Sequence, residues 1–393
     1  MRHYFLGAAA NYSRKQRLLH TFTIGRKKDC SALKDFLLKK YSGNEVFLTK
    51  NGRSALALAL KANFDKGDGI IVNGFTCYAV YEAIRAAGMV PIFTDIDKSS
   101  LNFNNETLSM ILATACPSDN SPQATQVKSS NSVECFTAKA IPKGIIIQNS
   151  FGNAVDIEAI ERLTKKYGLT IIEDLAHSAG VKYADGREVG TVGAATMLSF
   201  GKDKAIDTIS GGAVVFRHPC KNKVEAPSKI PKLSDHLRAR FYPLFGAISR
   251  GLSYVYLGGV WMRMLIKMRW VEKSADNKLD LERKISKFEA KLALKQLKNL
   301  KKAGEGKIRE FYLVNNREEL LAKLKKAGYY FDGFWYEKPV SPERYYKRVH
   351  FPEEACPTAV EISKKIINFP TYYKKQDLKK AYEILKDYEE SFK

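Results

Sequence analysis

The stretch Leu169–Phe216, LTIIEDLAHSAGVKYADGREVGTVGAATMLSFGKDKAIDTISGGAVVF, carries the reading of the fold. It begins with a short apolar run, Leu169–Ile172, that ends in Glu173 and Asp174. A second run, Ala194–Phe200, leads into a lysine-bearing turn, and a third, Ala213–Phe216, follows Gly211 and Gly212. Apolar runs of this length, bounded by turn residues, predict buried strands. In an α/β sheet, ligands bind just beyond the carboxyl ends of such strands. An acid at one strand end and a lysine after another suit a cofactor that needs an anion beside it and an amine to bond it. Pyridoxal phosphate has both needs: its aldehyde condenses with a lysine, and a carboxylate keeps its ring nitrogen protonated so that the ring draws electrons. Taken singly, the acid reads as a helix cap and the lysine as a solvated charge. The rest of the chain decides between these readings.

With 393 residues, 45% of them hydrophobic and 11% aromatic, the chain can bury a large core, and two domains are expected. The net charge of +23 favours anionic partners such as nucleic acid, acidic lipid or a phosphorylated substrate, without choosing among them. No zinc-finger spacing, RNA-binding aromatic pattern or basic heptad region is present, so no specific nucleic acid is expected. The six cysteines, Cys30, Cys77, Cys116, Cys135, Cys220 and Cys356, form no CxxC pair, which fits reduced thiols in a cytoplasmic protein. Tyr4–Ala10 is marginal as a secretory signal, and no uncharged apolar stretch reaches the roughly 18 residues of a spanning helix.

Upstream, Ser31–Tyr41 has a helical pattern and Glu45–Leu48 reads as a strand. Lys50–Ser54 is a turn before a strong helix former, Ala55–Ala62, with Ser54 placed to cap it. A helix N-terminus behind a glycine turn is an anion site, though an ordinary capped helix has the same signature. Gly69–Val72, Val90–Thr94 and Gly144–Gln148 read as further strands, and Tyr78–Ala87 and Asp156–Tyr167 as helices. This β-α-β order with short connections predicts a parallel sheet. Cys116–Ser132, rich in Ser, Asn, Gln and Pro, reads as an inserted surface loop, His218–Lys232 as a linker and Leu279–Leu300 as an amphipathic helix. Arg238–Trp270 holds six basic residues, no acidic ones and many apolar or aromatic ones. It is expected to pack in a dimer, to line an anionic substrate cleft, or to lie on a membrane surface.

NGRSALALAL, VPIFTDIDKSSLNFN, IIIQNSFGNAVDIEAI, IIEDLAHSAG and LSFGKDKAIDTISGGAVV, in this order and spacing, resemble the DegT/DnrJ/StrS-type sugar aminotransferases. The resemblance runs from about Gly25 to Phe216 and more faintly to the end. It implies an α/β chain with the type I fold of pyridoxal-phosphate transferases: a mostly parallel sheet flanked by helices, with a smaller C-terminal α+β domain. The domain division expected is 1–217 for the cofactor domain, 218–278 for linker and insertion, and 279–393 for a dimer helix and the small domain. The resemblance also implies roles. Asp174 would pair with the pyridine nitrogen and His177 contact the ring's phenolic oxygen. Ser199 would contact the phosphate, and Gly52, Arg53 and Ser54 form the phosphate turn. Lys204, five residues after Ser199 and seven before Gly211, would bond the cofactor, with Lys202 a rival that breaks this register.

GRSAL replaces a more usual glycine-threonine pair, a tolerated kind of change. Three departures from the family pattern stand out, one of them Arg238–Trp270, an addition to the family core. The ring-stacking aromatic, usually near Cys77, must be Phe75 or Tyr78. Glu282, ahead of a dimer helix at Ser286–Leu297, falls where the family has an asparagine that reaches the neighbour's phosphate. A lysine at 204 also separates the chain from related sugar 3-dehydrases, which lack the anchoring lysine. The reading is therefore a cytoplasmic, homodimeric aminotransferase acting on an amino-acid donor, glutamate, and a nucleotide-linked keto-sugar in amino-sugar or surface-polysaccharide synthesis. Contact with a membrane surface through 238–270 stays open. So do two other functions: a relative with a non-transaminating or regulatory role, and a basic membrane- or nucleic-acid-binding protein on an inactive fold.

Overall fold

The structure is a computed structural model and describes residues 4–6, 12–115, 140–255, 257–271, 278–300, 308–331, 335–371 and 373–390. Seven strands form its central sheet: β1 (Glu45–Thr49), β2 (Gly69–Asn73), β3 (Val90–Thr94), β4 (Pro142–Ile147), β5 (Thr170–Asp174), β6 (Ala195–Ser199) and β7 (Gly212–Phe216). Across the sheet they lie in the order β1-β7-β6-β5-β4-β2-β3. The strands from β3 to β6 are parallel, and β7 runs antiparallel to both of its neighbours. Strands covered on both faces read as unbroken apolar runs, which is why the short runs in the sequence locate them. Consecutive residues serve opposite layers. Ile146, Ile172, Met197 and Val214 pack into one core, while Ile145, Ile171, Leu198 and Val215 pack into the other.

Seven helices matter for the site: α1 (Lys27–Lys40), α2 (Gly52–Asn63), α3 (Tyr78–Ala87), α4 (Ile157–Tyr167), α5 (Leu233–Ser253), α6 (Gly258–Lys267) and α7 (Lys287–Lys298). Three differ from the sequence reading, the first being α1, which starts at Lys27 rather than Ser31 because the Asp29 carboxylate accepts from the Arg26 N–H. Helix α2 starts at Gly52 and is capped by Asn51, whose Oδ1 accepts from both the Ser54 N–H and the Ser54 hydroxyl at 2.9 Å. Ser54 is therefore inside the first turn. Helix α7 starts at Lys287, not at Leu279, because Ser286 and Glu289 close a reciprocal capping box there. Residues 238–270 form most of a helical hairpin, α5 and α6, with Pro243 inside α5. The expected insertion Cys116–Ser132 lies outside the described residues.

Among the C-terminal residues, Arg309–Leu313 pairs antiparallel with Ile366–Pro370. Tyr4–Phe5 pairs parallel with Tyr329–Tyr330, and the buried Leu6 joins the same core. No helix among the described residues is long and apolar enough to cross a membrane.

The two acids that end β5 point into opposite layers. Glu173 is fully buried and accepts from five donors: the Tyr183 hydroxyl (2.7 Å), the N–H groups of Gly190 (2.7 Å), Val192 (2.8 Å) and Gly193 (2.7 Å), and the Arg217 guanidinium (2.9 Å). Arg217, just past β7, also donates to the Gly190 and Gly193 carbonyls and to the Thr196 hydroxyl (2.8 Å). This network ties the β5–β6 connection to the end of β7. Removing one member of a buried ion pair costs roughly 3–5 kcal/mol, because the other charge stays buried. Glu173→Gln should therefore lower the thermal unfolding midpoint and speed amide exchange at Gly190, Val192 and Gly193. Wild-type values for both would refute the bracing role.

Candidate active site

The site sits beyond the carboxyl ends of β5 and β6, which are paired through Asp174 and Met197. Asp174 faces the layer opposite to Glu173, is 2% exposed, and accepts from the Ala176 N–H at 2.8 Å. Burial pushes its pKa up to about 6, while that hydrogen bond and the Lys204 charge pull the other way. His177, three residues on, is buried and accepts the Phe151 N–H at Nδ1 (3.4 Å). Burial holds its pKa well below the usual value, helped by the cations of Lys204 and Arg309. It is a neutral imidazole whose proton, by that hydrogen bond, resides on Nε2.

The turn after β6 carries the two lysines, and the structure sends them apart. The Lys202 amine lies 4.4 Å from the ring centre of Tyr242 on α5. The Lys204 amine lies 4.7 Å from that of Trp335. Burial lowers the pKa of Lys204, and the neighbouring Cys77, Asp174 and Asp203 hold it up against that. The turn is braced from outside. The Asp207 N–H donates to Gln296 Oε1 (2.8 Å) and Gln296 Nε2 donates to the Asp207 carbonyl (2.7 Å), so α7 grips its backbone. The Tyr12 hydroxyl donates to the Asp207 carboxylate at 2.8 Å. Burial raises Asp203 to about 7 and Asp207 to about 6.

A cradle for a phosphate adjoins this pocket. A Cβ on Gly52 would stand 2.7 Å from the Ser199 Cβ, and one on Gly212 would stand 2.7 Å from the Asn51 carbonyl carbon and the Gly52 nitrogen. Only glycine at both positions lets the N-terminus of α2 approach the end of β6. The first turn of a helix presents N–H groups and a positive dipole end to an anion. Arg53 is buried beside this turn in an ion pair with Glu82. The Ser54 hydroxyl serves the protein itself, donating to Asn51 and accepting the Asp280 N–H at 2.9 Å. The donor set (a desolvated lysine amine, a buried carboxylate, a neutral imidazole and a helix N-terminus beside Ser199) fits pyridoxal phosphate.

Of the expected stacking aromatics, Phe75 is fully buried with its ring on Tyr336 (4.7 Å between centres), and Tyr78 stacks on Tyr345 (4.4 Å). Cys77, one of the two residues between them, is among the groups that hold up the pKa of Lys204. Glu282 is exposed and pairs with Lys229 at 2.8 Å. Three residues at the pocket had no signal in the sequence. Trp335 stacks on His177 with ring centres 4.6 Å apart and planes 14° from parallel. The Arg309 guanidinium lies 5.1 Å from the Trp335 ring centre. Asn368 exchanges hydrogen bonds with the Trp335 backbone, donating to its carbonyl (2.9 Å) and accepting its N–H (3.4 Å). These residues converge only through the fold, more than 100 positions from Lys204 in the chain.

Fold and site define an α/β transferase built to hold an aldehyde cofactor. The chain matches the DegT/DnrJ/EryC1/StrS aminotransferase family over residues 31–236, more than half its length, and belongs to that family. It is thus a pyridoxal-phosphate-dependent aminotransferase by family and cofactor. It is 24% identical over 341 residues to a pleiotropic regulatory protein of Geobacillus stearothermophilus, spanning 86% of this chain and 82% of that one. It is 36% identical over 166 residues to GDP-perosamine synthase of Escherichia coli O157:H7, but this spans only 42% of the chain and 38% of that enzyme. The fold is that of a DegT DnrJ EryC1 StrS aminotransferase from Brucella abortus, with a TM-score of 0.62, 19% identity and coverage of 92% of this chain and 91% of that one.

The raised pKa of Asp174 has a consequence for the cofactor-free protein. A carboxyl that favours its proton when folded stabilises the fold fully below its unfolded pKa near 4, and that contribution is lost as pH rises through about 6. Cofactor-free Asp174→Asn has no charge to bury there. Its stability relative to the parent should rise between pH 4 and 7, by about 3 kcal/mol at most for a two-unit shift. Thermal melts across that range test this. A pH-independent difference would mean that Asp174 is ionised without the cofactor.

Proposed function

We propose that the chain moves an amino group from an amino-acid donor, glutamate, to a keto-sugar carried on a nucleotide, as a homodimer and in two half-reactions. The observation that carries the reading is that the Lys204 amine and the His177 ring both lie against Trp335, with the buried Asp174 near enough to feel the Lys204 charge and the close Gly52–Ser199 approach at the end of the neighbouring strand. When bound, pyridoxal phosphate supplies an aldehyde carbon that accepts the amine and a protonated ring that withdraws electrons.

The residues divide the remaining work. Asp174, ionised once a cation lies beside it, would hold the proton on the ring nitrogen. His177 would offer its Nε2–H to the ring's phenolic oxygen. Ser199 and the turn at Gly52 and Arg53 would hold the phosphate. Lys204 would bond the cofactor and, once the incoming amine has displaced it, its free Nζ would accept and return the proton that moves. Its depressed pKa favours the neutral amine this requires. The +23 charge suits a substrate bearing a nucleoside diphosphate. The names of relatives such as GDP-perosamine synthase support a nucleotide sugar. That of the Geobacillus relative keeps a regulatory role in view.

Borohydride reduction of the loaded protein followed by peptide mapping should place the cofactor on Lys204, and Lys202→Ala should label normally. Label on Lys202 would overturn the assignment. Glutamate should then shift the cofactor's absorbance, and one of a panel of nucleotide keto-sugars should reverse the shift. A labelled Lys204 with no response to any amino acid would favour the regulatory reading.

A further inference from the structure

The α5–α6 hairpin concentrates an apolar surface that the site does not use. Among the described residues, ten of the seventeen exposed large apolar side chains lie between Leu244 and Trp270. Tyr254, Val255 and Leu257, at the tip, are 55%, 60% and 52% exposed. On α6, Val260 and Met264, with Met268 just past its end, recur every four residues and make one exposed stripe. Exposed Arg263 and Lys267 form a second stripe about 100° away, with exposed Arg269 following. The basic residues nearer the root of α5 are occupied. Arg240 donates to the carbonyls of Thr21 (2.7 Å) and Thr23 (3.0 Å), and Arg238 lies 3.5 Å from Asp235. The hairpin thus pairs exposed apolar side chains with cations, and the sequence has no acid from His236 to Trp270.

We infer that this hairpin docks the enzyme on an anionic lipid surface. The apolar tip is too short and too interrupted to span a bilayer, and it suits the headgroup boundary, where an apolar face enters and flanking Lys and Arg meet acidic lipids. Charge decides against a second copy of the chain as the occupant. A two-fold contact through this face would set a surface with cations and no acid against a second surface of the same sign, in a protein that already carries +23. The match to the aminotransferase family covers residues 31–236, so most of the hairpin lies outside it. The two stripes leave Trp270 and Trp261, two of the chain's three tryptophans, on the docking element.

The test uses the full chain loaded with pyridoxal phosphate and two kinds of vesicle, phosphatidylcholine alone and phosphatidylcholine mixed with phosphatidylglycerol. The protein should sediment with the mixed vesicles only, and less so as salt screens the surface. Its tryptophan emission should shift to the blue on binding. Arg263→Gln/Lys267→Gln/Arg269→Gln should weaken the partition by roughly a hundredfold, each cation near an acidic leaflet contributing roughly fivefold. Met264→Ser/Met268→Ser should abolish the blue shift. Both variants should keep the cofactor spectrum and oligomeric state of the parent. Equal binding to both vesicles, or to neither, overturns the inference. So does a tip variant that converts a dimer to monomers, which would make this face a contact between copies.

Discussion

The arrangement rests on a buried carboxylate that is never without a donor. Glu173 has zero exposure and five hydrogen-bond donors, one of them the Arg217 guanidinium. A single uncompensated charge in that layer would cost several kcal/mol. Satisfying it fixes the loop from Gly190 to Gly193, which sets where β6 enters the sheet and hence where Ser199 and the lysine turn leave it. The strand's alternation then places the next residue, Asp174, in the opposite layer, where, among the described residues, the Ala176 N–H and the charge of Lys204 offset its burial. Adjacent acids on one strand thus have separate tasks. The saturated one holds the backbone, and the under-satisfied one is ready for a cation.

Most of the sheet was legible because its strands are buried on both faces and their side chains are apolar without interruption. Ile145–Ile147, Ile171–Ile172 and Val214–Val215 need no partner information to be recognised. Ends were harder, since a cap is chosen by competition between neighbouring polar side chains. Asn51 outcompetes Ser54 for the start of α2, and Ser286 sets the start of α7 within a longer amphipathic run. The lysine turn was legible because the apolar run Ala194–Phe200 stops there, and in the structure its two lysines diverge. Trp335, Arg309 and Asn368 were not, because their position depends on the C-terminal strands folding back over the sheet ends. Cys77 was passed over for its aromatic neighbours, which are engaged with Tyr336 and Tyr345.

The hairpin that extends from the core and the helix that braces the lysine turn follow one another in the chain. Gln296 on α7 grips Asp207 from one side, and Tyr242 on α5 receives Lys202 from the other. The inserted hairpin therefore adds a wall to the catalytic turn at its root while its tip projects away. A load on the tip has a short mechanical route to that turn through Tyr242, with Tyr12 packed edge-on against Tyr242 and bonded to Asp207.

The pairing of Tyr4–Phe5 with Tyr329–Tyr330 has a meaning for biosynthesis. Leu6, buried in the finished molecule, accepts the Arg309 guanidinium at its carbonyl oxygen (3.1 Å). On a ribosome adding about 5–20 residues per second, Tyr4–Leu6 is made roughly 15–65 seconds before the strand it pairs with. The central sheet can close in that interval, so this pairing belongs to the last layer to be completed.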